Sequence, residues 1–175
     1  ESLDDATLTQ ANTHLQNFLI YGSKLYALGK QTANSRATIY ENNSPNVGSG
    51  SWAVSSGTQP SASNTDAILT GDNSYQMFAE YKGIIYYLNA QGLGSYNIGS
   101  TTYDEAADPI SGITSITQGL THSKDSIFYF GYTTATATYI GRKNGASAFE
   151  DTALTIPTVD YRVVSLCEHG NYLAI

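Results

Sequence analysis

An apolar hairpin recurs along this chain and constrains its fold more than any other feature. KLYAL (24–28), GIIYYL (83–88), SIFYF (126–130) and NYLAI (171–175) each follow a short polar turn, in order YGS, EYK, SKD and EHG. Each turn is preceded by another apolar stretch: NFLI (17–20), QMFA (76–79), QGLT (118–121) and SLC (165–167). The doublets Leu25-Tyr26, Ile84-Ile85, Ile127-Phe128 and Tyr172-Leu173 lie 59, 43 and 45 residues apart. Self-similarity at such a period marks a repeat architecture, in which one unit cannot bury its apolar surface alone and neighbours complete the core.

More of the unit repeats. A third strand follows each hairpin, at RATIY (36–40), GSYNI (94–98) and ATYIG (137–141). An aromatic comes next (Trp52, Tyr103, Phe149), then an acidic turn and a short strand, best seen in EDTALTI (150–156). Four short strands in about 43–45 residues predict a β-propeller blade. The first two strands are nearly continuously apolar, as strands buried on both faces are, and the third is mixed.

The expected layout runs as follows: 1–16, the outer strand of a preceding blade; 17–75, a blade with a loop insertion at 42–67; 76–117 and 118–164, two further blades; 165–175, the start of another. The insertion is rich in Ser, Gly and Asn and lacks periodicity. DDATLT (4–9) echoes EDTALT, which makes it the closing strand of an earlier unit. Three blades do not close a ring, since propellers need at least about four. The expectation is therefore part of a larger propeller in a longer chain, with self-assembling copies as the alternative. A β-sandwich competes, since turn spacing alone allows it, but repetition of the whole unit favours the propeller.

Composition agrees with an all-β class. Helix-favouring Leu, Glu, Lys and Arg are thin, whereas the chain carries 14 Tyr and 16 Gly. A net charge of -7 with few, scattered Lys and Arg argues against nucleic acid. No apolar run approaches the roughly 20 residues of a helical membrane span. The single Cys167 cannot form an internal disulfide, and its place in VVSLC predicts a buried, inert thiol.

Signatures of chemistry are sparse. There is no GxSxG, Walker loop, HExxH, CxxC or EF-hand loop. His14, His122 and His169 are widely spread, and the last two fall at hairpin turns of different units. SPNVGSGSW (44–52) is similar to the Asp-box turn of sialidase-like propellers. Asn46 stands where that motif has Asp, Trp52 is one residue late, and the box is structural rather than catalytic. Three arginines, Arg36, Arg142 and Arg162, make a poor carboxylate-gripping cluster. Acidic pairs recur as Asp4-Asp5, Asp104-Glu105 and Glu150-Asp151. Paired carboxylates can serve acid–base chemistry or Ca²⁺, but repeat-related pairs are expected apart, as turn and edge residues. The sequon Asn42-Asn43-Ser44 is weakened by Pro45.

With the unit laid out, the chain resembles a family of blade-repeat proteins from phage and environmental viral genomes. SKLYALGKQTANSRATIYEN (23–42), LTHSKDSIFYFGY (120–132) and SLCEHGNYLAI (165–175) carry the resemblance, which covers nearly the whole chain on loose motifs. It implies a propeller on a virion, in a tail or capsid-decorating protein, and no enzymatic residues. In such proteins the stretch similar to HGNYLAI runs on into further blades.

The expectation is a non-enzymatic β-propeller of a virion or of the extracellular space, with no catalytic residues, metal or cofactor. Its partners would be copies of itself, other structural proteins or a cell-surface glycan. Tyr40, Trp52, Tyr96 and Tyr132 are the candidate recognition residues, because exposed aromatics amid Asn and Ser make adaptable surfaces. A lectin propeller is the first alternative and a sialidase-like hydrolase the second.

Overall fold

All four apolar hairpins form antiparallel strand pairs. The structure, a computed structural model, describes residues 17–30, 37–43, 52–55, 77–89, 92–116, 119–121, 125–158, 160, 163 and 165–175. DDATLT, His14, Arg36, the turn at 44–51, His122 and Arg162 lie outside the described residues.

The first sheet holds β1 (Asn17–Tyr21), β2 (Lys24–Lys30), β3 (Ala37–Asn42) and β4 (Trp52–Val54), paired in chain order. The second repeats that order with β5 (Phe78–Tyr81), β6 (Ile84–Asn89), β7 (Gly92–Asn97) and β8 (Thr102–Pro109). The third contains β9 (Ile113–Ile116), β10 (Leu120–Thr121), β11 (Ile127–Thr134), β12 (Thr138–Asn144) and β13 (Glu150–Ile156). The hairpin of β14 (Cys167–His169) and β15 (Tyr172–Ala174) makes the fourth. Among the described residues there is no helix, and no sheet closes on itself.

Turn chemistry explains three of the hairpins. The registers Tyr21↔Lys24, Tyr81↔Ile84 and His169↔Tyr172 leave two residues in each turn. The right-handed twist of paired strands favours primed turns, which need a positive φ at the first central position. Gly22 (φ 61°) and Gly170 (φ 60°) supply it, and in the middle hairpin Lys82 (φ 52°) and Gly83 (φ 79°) both adopt it.

The third sheet moves one expected boundary. β9 pairs with β11 at Tyr132↔Ile116 and β10 pairs with it at Leu120↔Tyr129, while β12 occupies the other edge of β11. Thus β9 and β10 are two pieces of one first strand. The third unit begins at or before Ile113 rather than at 118. At the interruption, a Cβ on Gly119 would lie 2.6 Å from the Phe128 ring.

One core cluster joins the first three sheets. Tyr26, Leu28 and Ile39 come from the first, Tyr86 and Tyr96 among others from the second, and Phe128, Phe130 and Tyr132 from the third. Tyr86 stacks on Phe128 (5.3 Å between centroids) and meets Phe149 edge-on (5.5 Å) across the second junction. The Tyr81 hydroxyl donates to Ser126 O (2.8 Å) and accepts from Gly145 N (2.7 Å), tying the same two sheets at their turn ends. Ile140, Val163 and Leu166 form a smaller cluster with Leu173 of the last hairpin packed against it.

Cys167 departs from expectation. Its thiol is exposed, because β14 has only β15 beside it and the apolar packing here goes to Leu166 and Val163.

Candidate functional site

The four aromatics expected at a recognition surface are all buried. Tyr40 (1% exposed) and Trp52 (6%) pack with Ala27 in a small cluster, and Phe18 lies 6.1 Å from the Trp52 ring. Tyr96 (1%) meets Tyr103 at 4.6 Å, and Tyr132 (3%) stacks between Phe130 and Tyr139 at 6.0 and 5.0 Å. The exposure expected of them fails because strands that sheets cover on both faces turn their large rings inward. Their ring faces serve packing rather than open solvent. Tyr26 and Tyr86, on the apolar strands β2 and β6, are buried in the core, and Tyr129 is half-buried. His169 is exposed at the end of β14.

The chemistry-bearing group lies elsewhere, at the junction of the second and third sheets. Asp108, near the end of β8, is 8% exposed and lies within hydrogen-bonding reach of the Asp151 carboxyl on β13. Asp108 Oδ2 and Asp151 Oδ1 are buried without a donor among the described residues. Two carboxylates only accept, so the contact requires a proton on one of them. Burial, then the Asp151 charge, push the Asp108 carboxyl from 3.8 up to about 7, while the Lys143 ammonium pulls the other way. Lys143 Nζ donates to Ser147 O (2.7 Å) and sits 4.3 Å above the Phe149 ring.

Both acids lie at or beside an irregularity of a fourth strand. Along β8, Tyr103, Glu105 and Ala107 turn inward while Thr102, Asp104 and Ala106 face solvent, so strict alternation would put Asp108 outside. It is buried nonetheless, because its partner across the ladder is Leu93, fully buried at the covered start of β7, whereas Asp104 pairs with the less covered Ser95. Leu93 pairs with Asp108 and Ser95 with Asp104, so one residue, Gly94, faces three. Two extra residues keep Asp108 on the face of Asp104 and change only where along the ladder it lies. The third sheet repeats the irregularity: Ile140 pairs with Leu154 and Arg142 with Glu150, with Gly141 facing the three residues that include Asp151. Gly92 (φ 134°) lets the end of β8 close in, since a Cβ there would lie 2.4 Å from Asp108 O.

Asp151 belongs to one of the recurring acidic pairs, Glu150-Asp151, but the acid it meets, Asp108, belongs to none of them. Two surface ion pairs, Lys24–Glu41 (3.3 Å) and Arg142–Glu150 (2.7 Å), are partly exposed and contribute little. Among the described residues no group of three His, Cys, Asp or Glu side chains is placed to hold a metal ion. A shallow cavity of about 260 Å³ lies beside Arg142, Ser147 and Glu150.

Compared with protein-family models and with curated proteins, the chain matches none.

Proposed function

We propose that the chain is a β-propeller segment without enzymatic activity, presenting a binding or assembly surface on a virion or outside a cell. The observation that carries this is the recurrence, in consecutive sheets, of one strand order and one fourth-strand bulge, with a single aromatic core joining the sheets. Each sheet is apolar in its inner strands and needs a neighbour to cover it, which is the logic of blades around an axis. The virion location rests on the resemblance of SKLYALGKQTANSRATIYEN, LTHSKDSIFYFGY and SLCEHGNYLAI to blade-repeat proteins of viral genomes. Partners are copies of the chain or other structural proteins. A cell-surface glycan is the second reading, favoured by the exposed rings of Tyr21 and Tyr172.

Three measurements test this. Class averages of the purified protein in negative stain are expected to show radial blades, and a closed two-layer sandwich would sink the propeller. Mass spectrometry of purified virus particles from the encoding source is expected to find the protein, and its presence only in the cell fraction would remove the virion assignment. A glycan array decides between the two kinds of partner.

A further inference from the structure

We propose that Asp108 and Asp151 are a proton-operated clasp between the second and third sheets: one shared proton holds β8 against β13, and its loss to solvent loosens that junction. The inference depends neither on ring closure nor on any partner.

Two observations meet at this point. Asp108 is more than nine-tenths buried, and its Oδ2 has no donor among the described residues. Asp151 Oδ1, from the neighbouring sheet, is buried and equally without one. Each carboxyl can be the partner the other lacks, provided one proton is shared between them. With the proton gone, two negative charges face each other in a site that screens them poorly.

The groups around the pair come from every packed element. Asp151 is on β13 and Lys143 on β12, and the hydroxyls of Tyr86 on β6 and Tyr132 on β11 lie within electrostatic reach. Asp104, further along β8, acts on Tyr86 as well. Both tyrosines are pushed up to about 12 by burial and so keep their protons through neutral pH. A bound cation is the other way to satisfy facing carboxylates. Ca²⁺ takes about 6–8 oxygen ligands, however, and no third His, Cys, Asp or Glu among the described residues joins these two.

The sign follows from linkage. The folded chain keeps the Asp108 proton up to about 7, whereas the unfolded chain releases it near 3.8. The folded state therefore binds more protons within that window. The contribution is fully present below the lower value, falls as pH rises towards the upper one and is gone beyond it.

The test compares thermal unfolding of the unaltered chain with Asp108→Asn and Asp151→Asn between about pH 5 and pH 8. Relative to Asp108→Asn, the unaltered chain is expected to lose about 5 °C in Tm over that range. At the upper end Asp108→Asn is expected to melt higher than the unaltered chain, because its amide donates where the proton had been. Asp151→Asn is expected to flatten the profile in the same way. Parallel profiles for the unaltered chain and Asp108→Asn would overturn the clasp. So would a rise in Tm with millimolar Ca²⁺ at the upper pH that Asp108→Asn abolishes, since the pair would then be a cation site. If neither variant folds, a ¹³C titration of the aspartate carboxyls in the unaltered chain decides: one midpoint near neutrality supports the clasp, and all midpoints in the ordinary acid range refute it.

Discussion

Gly141 shows how tightly single residues are held here. It faces Phe130 across β11 and β12, and a Cβ in its place would lie 2.3 Å from the edge of that ring. Phe130 has nowhere to go. It is fully buried, stacked with Phe128 and Tyr132, with Phe149 edge-on 5.9 Å away. Gly141→Ala is therefore expected to destabilise the chain by about 1–3 kcal/mol through overpacking. Urea unfolding checks this, and an unchanged midpoint would mean that the ring yields more easily than its packing implies. The same residue stands opposite the bulge that carries Asp151, so a glycine that looks like a weak point in a strand serves two neighbours at once.

Elements were more legible than the contacts between them. The hairpins could be read because their strands are continuously apolar and their turns carry Gly or polar residues, and the strand Glu150–Ile156 coincides with the EDTALTI stretch. The first strand of the third sheet was read only in its second piece, because its interruption breaks the apolar pattern that the comparison of units relied on. The acid pair was hidden for a different reason. Alternation groups Asp108 with the exposed Asp104, and only its pairing with the buried Leu93, a matter of register rather than residue type, places it where the sheet is covered. Turn glycines offer a direct check at this scale. Gly83 (φ 79°) lies in a two-residue turn, whereas Gly99 has ordinary backbone angles and a would-be Cβ 3.5 Å from Asn97 Oδ1. Gly83→Ala is expected to cost about 1–2 kcal/mol, from forcing a side chain into left-handed backbone. Gly99→Ala is expected to fall within about 0.5 kcal/mol of the unaltered chain. Equal costs in chemical denaturation would show that turn conformation is not what separates them.

At the scale of the whole molecule, the first three sheets share one cluster and should not come apart singly. Phe128 is fully buried and meets Tyr81 (5.7 Å) and Tyr86 (5.3 Å) of the second sheet and Phe130 (6.1 Å) of its own. Phe128→Ala is expected to cost about 3–5 kcal/mol, as a large cavity in a core does. Trp52 lies in the first sheet, in a satellite cluster with Ala27 and Tyr40, and reports from a part of the molecule that Phe128 does not belong to. Its fluorescence midpoint and the far-ultraviolet circular dichroism midpoint are expected to fall together in that variant. Separate transitions would reveal sheets that unfold independently.

The exposed thiol of Cys167 has a practical side. It is the chain's one cysteine, and Trp52 is its one tryptophan. An acceptor dye on that sulfur would receive excitation energy from the indole, so the native molecule already carries a donor and an attachment point on its last and first sheets. Energy transfer between them gives a length that can be followed in solution through pH, denaturant or assembly, with no residue exchanged.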